Sequence, residues 1–107
     1  MKAKPIVPRA LARDDVDDAI AYYLKEGAES AAIGFVDALE EAYRHIGRHP
    51  ATGSPRYAFE LDLFGLRSWT LTRYPYVVFY VEHDRHIDVL RVLHGMRDLP
   101  ASLRLDE

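Results

Sequence analysis

Apolar residues recur along this chain with two different periods, and the change between them splits it into a helical first half and a stranded second half. Val16, Ile20, Tyr23 and Leu24 fall at i, i+4, i+7 and i+8, which predicts a helix from about Ala10 to Glu26. Asp14, Asp15, Asp17 and Asp18 crowd its N-terminal part, where carboxylates complement the helix dipole, and Gly27 is a left-handed stop. Ala32, Phe35, Val36, Leu39, Ala42, Tyr43 and Ile46 form a second stripe, opposite Asp37, Glu40, Glu41 and Arg44. That predicts a second helix from Glu29 or Ser30 to Ile46, ended by Gly47 and Pro50. The short Gly27-Ala28-Glu29 link makes the two an antiparallel hairpin. Before them, Lys4 to Pro8 (KPIVP) reads as an edge strand. After them, His49 to Asp62 has Pro50, Gly53 and Pro55 and no clear period, as in a long surface loop.

Three strands follow: Leu66 to Thr72, then Tyr76 to His83, then Ile87 to His94, with turns at Tyr74-Pro75 and Asp84-Arg85. The middle one is apolar on both faces and therefore central. Gly95 breaks the last strand, and a short tail follows from Arg97. The order is an N-terminal strand, a two-helix antiparallel hairpin and a three-stranded antiparallel meander, an α+β class. The hairpin covers one face of the sheet and leaves the other partly free.

Composition narrows the function classes. At 107 residues the chain is a single domain. Absence of cysteine removes disulfides, a thiolate nucleophile and Cys-ligated zinc, and suits the reducing cytoplasm, which is the expected location. No apolar run is long enough to span a bilayer, and Met1 to Arg13 lacks the apolar core of a signal peptide, so no membrane role is expected. A formal net charge of −3 argues against a protein whose main work is gripping nucleic acid.

Several stretches resemble the ParE type of the ParE/RelE toxin superfamily. They are Arg13-Asp14-Asp15-Val16 with Ile20 and Tyr22-Tyr23, Ala31-Ala32 with Phe35 and Leu39, and His49-Pro50-x-x-Gly53. Leu66-Arg67-Ser68, Tyr76-Val77-Val78-Phe79-Tyr80 and Val89 to His94, continuing through Gly95-x-Arg97-Asp98, complete the set. The resemblance runs from about Arg9 to Leu103. It implies the toxin of a type II toxin–antitoxin system, held by a cognate ParD-like antitoxin in a hetero-oligomer. It further implies DNA gyrase as the target and DNA contact only through the antitoxin. The alternatives are a RelE-like ribosome-dependent endoribonuclease and a non-toxic antitoxin-binding relative. In the RelE-like branch, cations project from positions that fall here on Ser68, Thr70 and Val77, none of which is charged, and the terminal tyrosine falls on Leu103. Arg97 alone matches.

No catalytic residue, cofactor or metal ligand is assigned. His94 has the chemistry of an acid or base, but a histidine ending a strand is more often a structural hydrogen-bonder. His45 and His49 have helical metal-pair spacing, yet Gly47 and Pro50 interrupt the helix there; His83 and His86 are explained as solvated turn residues. Trp69 suits an interface or a core equally. Arg91 interrupts an apolar strand and must reach solvent or a carboxylate, such as Asp88, Asp98 or an antitoxin acid. The resemblance assigns target contact to the tail, with His94, Arg97 and Asp98 as candidates. It assigns the antitoxin to the edge strand at Ile6 and Val7 and to the hairpin around Tyr22, Tyr23 and Phe35. Antitoxin acids would then meet Arg67, Arg73 or Arg91.

Overall fold

A computed structural model describes residues 2–96. Its elements are β1 (Ile6–Pro8), α1 (Ala10–Lys25), α2 (Glu29–Arg48), a 3₁₀ turn (Pro50–Thr52), α3 (Arg56–Glu60), β2 (Leu66–Thr70), β3 (Tyr76–Glu82) and β4 (Ile87–His94). The sheet order is β1-β4-β3-β2. The β2-β3-β4 meander is antiparallel, while β1 runs parallel to β4, so the sheet is mixed. The α+β architecture is the one expected.

The hairpin turn is closed by a Schellman motif. Gly27 sits at φ 72, Ala28 N–H donates to Tyr23 C=O at 2.8 Å, and Gly27 N–H donates to Leu24 C=O at 3.0 Å. The α2 stripe packs as its spacing requires: Phe35, Leu39, Ala42 and Ile46 are buried against Tyr76, Val78, Tyr80, Ile87, Val89 and Val92. From α1, Ala12 and Ala19 are buried, Val16, Ile20 and Tyr23 are partly so, and Leu24 stays exposed. Small residues on the inner face let α1 approach the sheet closely.

Several expectations are corrected. Gly47 does not end α2, which runs on to Arg48. The glycine instead admits the N-terminal segment: a Cβ there would meet Lys4 C=O at 2.8 Å, and Lys4 N–H donates to Gly47 C=O at 3.0 Å. The stretch 49–62 is not simply a loop. It holds the 3₁₀ turn and α3, whose Tyr57 and Ala58, with Leu61 and Leu63, pack on Leu66, Phe79, Leu90 and Leu93. The sheet face away from the hairpin is thus partly covered. The first meander strand stops at Thr70, because Arg73 takes a left-handed conformation (φ 72) in the turn.

The four aspartates lie in the N-terminal part of α1 as expected, but beyond its first turn, which holds no acid. Asp15 has another task. β1 ends at Pro8, so among the described residues no strand lies on the β1 side of β4 beyond Val89. Asp15 takes that place: its carboxylate accepts from Val92 N–H at 3.0 Å and from Arg91 Nε and Nη2 at 2.8 and 2.9 Å. Both side chains are largely withdrawn from water. A β-bulge in β4 opposite Phe79 and Tyr80 accompanies this contact. Arg91 therefore reaches a carboxylate, but none of those expected for it.

The 49–53 turn is tied to the sheet in a similar way. Tyr80 is fully buried, donates its hydroxyl to Pro50 C=O at 2.7 Å and accepts from Gly53 N–H at 3.0 Å. A Cβ on Gly53 would collide with that hydroxyl. Burial raises the Tyr80 phenol, which stays protonated and able to donate.

Two outcomes follow for stability. Replacing Asp15 with Ala strands Arg91 and Val92 N–H, and chemical denaturation should show a loss of about 3 kcal/mol. Asp15→Asn keeps one acceptor and should lose less; a loss below about 1 kcal/mol for the alanine variant would equate the pair with a surface ion pair. Tyr43 provides a pH test, because burial and then the Asp15 charge raise its phenol to about 12. The unfolded phenol titrates near 10, so the folded state holds the proton more tightly and stability falls as pH rises from about 10 to about 12. The loss, on the order of 2–3 kcal/mol, should vanish in Tyr43→Phe measured by alkaline denaturation.

Candidate functional site: the outer seam of the helical hairpin

An apolar seam runs between the outer faces of α1 and α2. Val16, Ile20 and Leu24 stand one turn apart on α1 and face Ile33, Val36, Leu39 and Tyr43 of α2. Two shallow depressions of about 300 and 310 Å³ lie along this line. Leu24 is 52% and Ile33 59% exposed, an apolar stripe rimmed by Arg13, Asp17, Glu29 and Asp37. Such a rimmed stripe is the form of a groove that takes an amphipathic helix.

The residues expected to meet a partner on the hairpin are distributed differently. Tyr22 is 45% exposed and packs edge-on to Tyr23. Tyr23 is half-buried among Phe35, Tyr74 and Tyr76. Phe35 is fully buried, its ring 5.0 Å from that of Tyr76, so it is no part of an exposed surface. The expectation of exposure at Phe35 is corrected: its place in the helical period marks it as core.

The edge strand offers less backbone than its sequence suggested. Pro5 C=O accepts from Ile87 N–H and Arg9 N–H donates to Val89 C=O, so by the alternation of a parallel ladder Val7 also turns its backbone toward β4. Ile6 and Pro8 turn theirs outward, and Pro8 has no N–H. The Val7 side chain is 45% exposed. The free edge is one donor and two acceptors long. The strand is pinned by the Arg9–Asp88 ion pair at 2.7 Å and by Lys4 Nζ bonded to Glu82 and to His83 C=O.

Of the three arginines expected to meet antitoxin acids, two are engaged within the domain. Arg67 donates to Gly53 C=O at 2.7 Å, and Arg91 holds Asp15. Arg73 stands exposed at its turn. His94 ends β4 edge-on to Tyr76 at 5.2 Å, and its Nδ1 accepts from Met96 N–H at 3.1 Å, an arrangement that shapes the turn. Arg97 and Asp98 lie outside the described residues, as does Leu103.

The histidine pairs have local partners. His45 stacks on Trp69 at 4.4 Å and lies 3.2 Å from the Thr52 hydroxyl, with His49 at 5.3 Å. Trp69 itself is half-buried against the helix-side core. His83 stacks on His86 at 4.8 Å and approaches Asp88 at 3.6 Å. Among the described residues no group of three or more His, Asp or Glu side chains is placed to hold a metal ion. No helix of the described residues is long and apolar enough to cross a membrane.

Of the positions where the RelE-like branch carries cations, Thr70 is exposed and the other two are built into the fold. Ser68 exchanges both backbone hydrogen bonds with Ser54, at 2.8 and 2.9 Å, and Val77 packs in the cluster behind the sheet. The seam carried no motif that sequence reading could isolate. Its signal was that Val16, Ile20 and Leu24 continue an apolar line outward past the buried Ala12 and Ala19.

Comparison with known proteins agrees with this architecture. A solved structure described as the chromosomal ParDE TA system from P. aeruginosa superposes with a TM-score of 0.70, covering 86% of this chain and 96% of that one at 20% identity. At that identity the likeness concerns the fold. No curated protein matches the sequence. The family model for the ParE toxin of type II toxin-antitoxin system, parDE, matches residues 6–99, from β1 to beyond the end of β4, and the chain belongs to that family.

Proposed function

We propose that this chain is a cytoplasmic, non-enzymatic toxin that inhibits DNA gyrase and is neutralised by a ParD-like antitoxin. The antitoxin's C-terminal segment would fold onto the hairpin seam. The observation that carries the reading is the seam itself: an apolar stripe two helices long, exposed on a member of a toxin family whose name includes its antitoxin. A segment ordering there buries Leu24 and Ile33 and offsets its loss of chain entropy with that apolar contact. Binding at the short β1 edge supplements the seam, with Ile6 the backbone partner and Arg73 the accessible cation for antitoxin acids.

Inhibition rather than RNA cleavage is favoured by the uncharged Ser68, Thr70 and Val77 and by the internal engagement of Arg67 and Arg91. Cleavage of a phosphodiester needs cations placed around the developing charge. Contact with gyrase is assigned to the end of β4 and the residues after it, with His94, Arg97 and Asp98 the candidates. DNA is reached only through the antitoxin.

Purified toxin should inhibit gyrase supercoiling or trap cleaved DNA, with reversal by the antitoxin, and the Arg97→Ala/Asp98→Ala double variant should weaken inhibition. New cuts in translated mRNA with gyrase unaffected would replace this reading by the ribonuclease one. The seam is tested by Leu24→Glu/Ile33→Glu. Affinity for the antitoxin should fall by about a hundredfold or more, as when apolar anchors are removed from an interface. Both side chains are half-exposed or more, so the melting temperature should hold. Unchanged affinity in that variant would move the antitoxin elsewhere.

A further inference from the structure

The lobe of α3 and the turn into β2 lies on the sheet face opposite the hairpin, away from the seam. It is firmly built. Leu61 N–H donates to Tyr57 C=O, Leu63 N–H to Ala58 C=O at 3.0 Å and Leu66 N–H to Leu63 C=O at 3.2 Å. Tyr57 anchors it edge-on to the buried Phe79 at 5.3 Å. Two left-handed residues, Asp62 at φ 53 and Gly65 at φ 84, turn the chain through Leu63 and Phe64. Phe59 is 95% exposed and Phe64 100% exposed as a result. A hydrogen-bonded lobe that holds two phenylalanines in water presents an exposed apolar patch of the kind that marks interaction surfaces.

We propose that this lobe is a self-association surface, and that its occupant is the same lobe of a second copy of this chain. The surface carries both halves of a contact. Phe59 and Phe64 project beside an open groove of about 580 Å³ floored by Pro55, Ala58, Leu63 and Leu66. A twofold axis through the lobe lets each copy seat a phenylalanine in the other's groove, the reciprocal arrangement an isologous interface requires. The charges fit the same partner. Arg56 and Glu60 are exposed on α3, and Asp62 lines the groove with Arg67, whose guanidinium also holds Gly53 C=O, so the lobe is locally neutral on a chain of net charge −3. Two copies meeting there face no excess of like charge, and Arg56 of one can lie against Glu60 or Asp62 of the other. Because the hairpin packs on the opposite sheet face, such a dimer leaves both seams open.

Sedimentation of the full chain over a concentration series should show a reversible monomer–dimer equilibrium. Phe59→Ser/Phe64→Ser should raise the dimer dissociation constant at least about tenfold. The melting temperature of that variant should not fall, since neither ring is buried. The chain has no cysteine, so Glu60→Cys with a nitroxide label gives a clean second readout. A short label-to-label distance between copies is expected, abolished by the two serines. A monomer at every concentration, a dimer untouched by the serine pair, or a long distance between labels would each overturn the proposal.

Discussion

The fold depends on how the open edge of β4 is closed. β1 cannot flank the whole of β4, because it ends at Pro8 and the chain enters α1 at Ala10. One carboxylate, Asp15, serves β4 where β1 does not reach: it takes the Val92 N–H and neutralises Arg91. The position of α1 against the sheet follows from this contact, and the position of α2 follows from α1 through the tight Gly27 turn. The seam between them is thus set by an ion pair on the far side of α1.

The two segments that most suggested the family are one physical unit. Tyr80 of the YVVFY strand bonds Pro50 and Gly53 of the HPATG turn, and Arg67 bonds the Gly53 carbonyl. Burial of a phenol demands such partners, and the turn needs a glycine because the hydroxyl occupies the space of a Cβ.

Much of this was legible in the sequence. Both long helices and the three meander strands follow from period, since each buries a full face over several turns or residues. What escaped is where one residue answers a distant one. Gly47 reads as a helix stop by local rules but serves the approach of Lys4. Asp15 reads as one of four solvated acids until Val92 and Arg91 are placed beside it. α3 is one turn long between Pro55 and the left-handed Asp62, too short for a period to emerge. Phe35 was legible as core from its place in the stripe with Leu39, Ala42 and Ile46, whereas the sequence alone did not show that the two helices also carry a second, outer apolar flank. The seam is the other flank, and no motif marks it.

The parallel pairing of Ile6 with Ile87 and Pro8 with Val89 joins the first strand to the last. Synthesis proceeds from the N-terminus, so β1 emerges long before the strand it must lie beside. Until then the hairpin can form from local contacts, but its inner face has no sheet to cover and Asp15 has neither partner. The last-made strand completes both at once. The pairing closes a loop from Ile6 to Ile87, and long-range closures of this kind are the slow ones in folding. Between the end of α2 at Arg48 and the pairing of β2 with β3, the emerging chain has an apolar helical pair and no sheet to cover it.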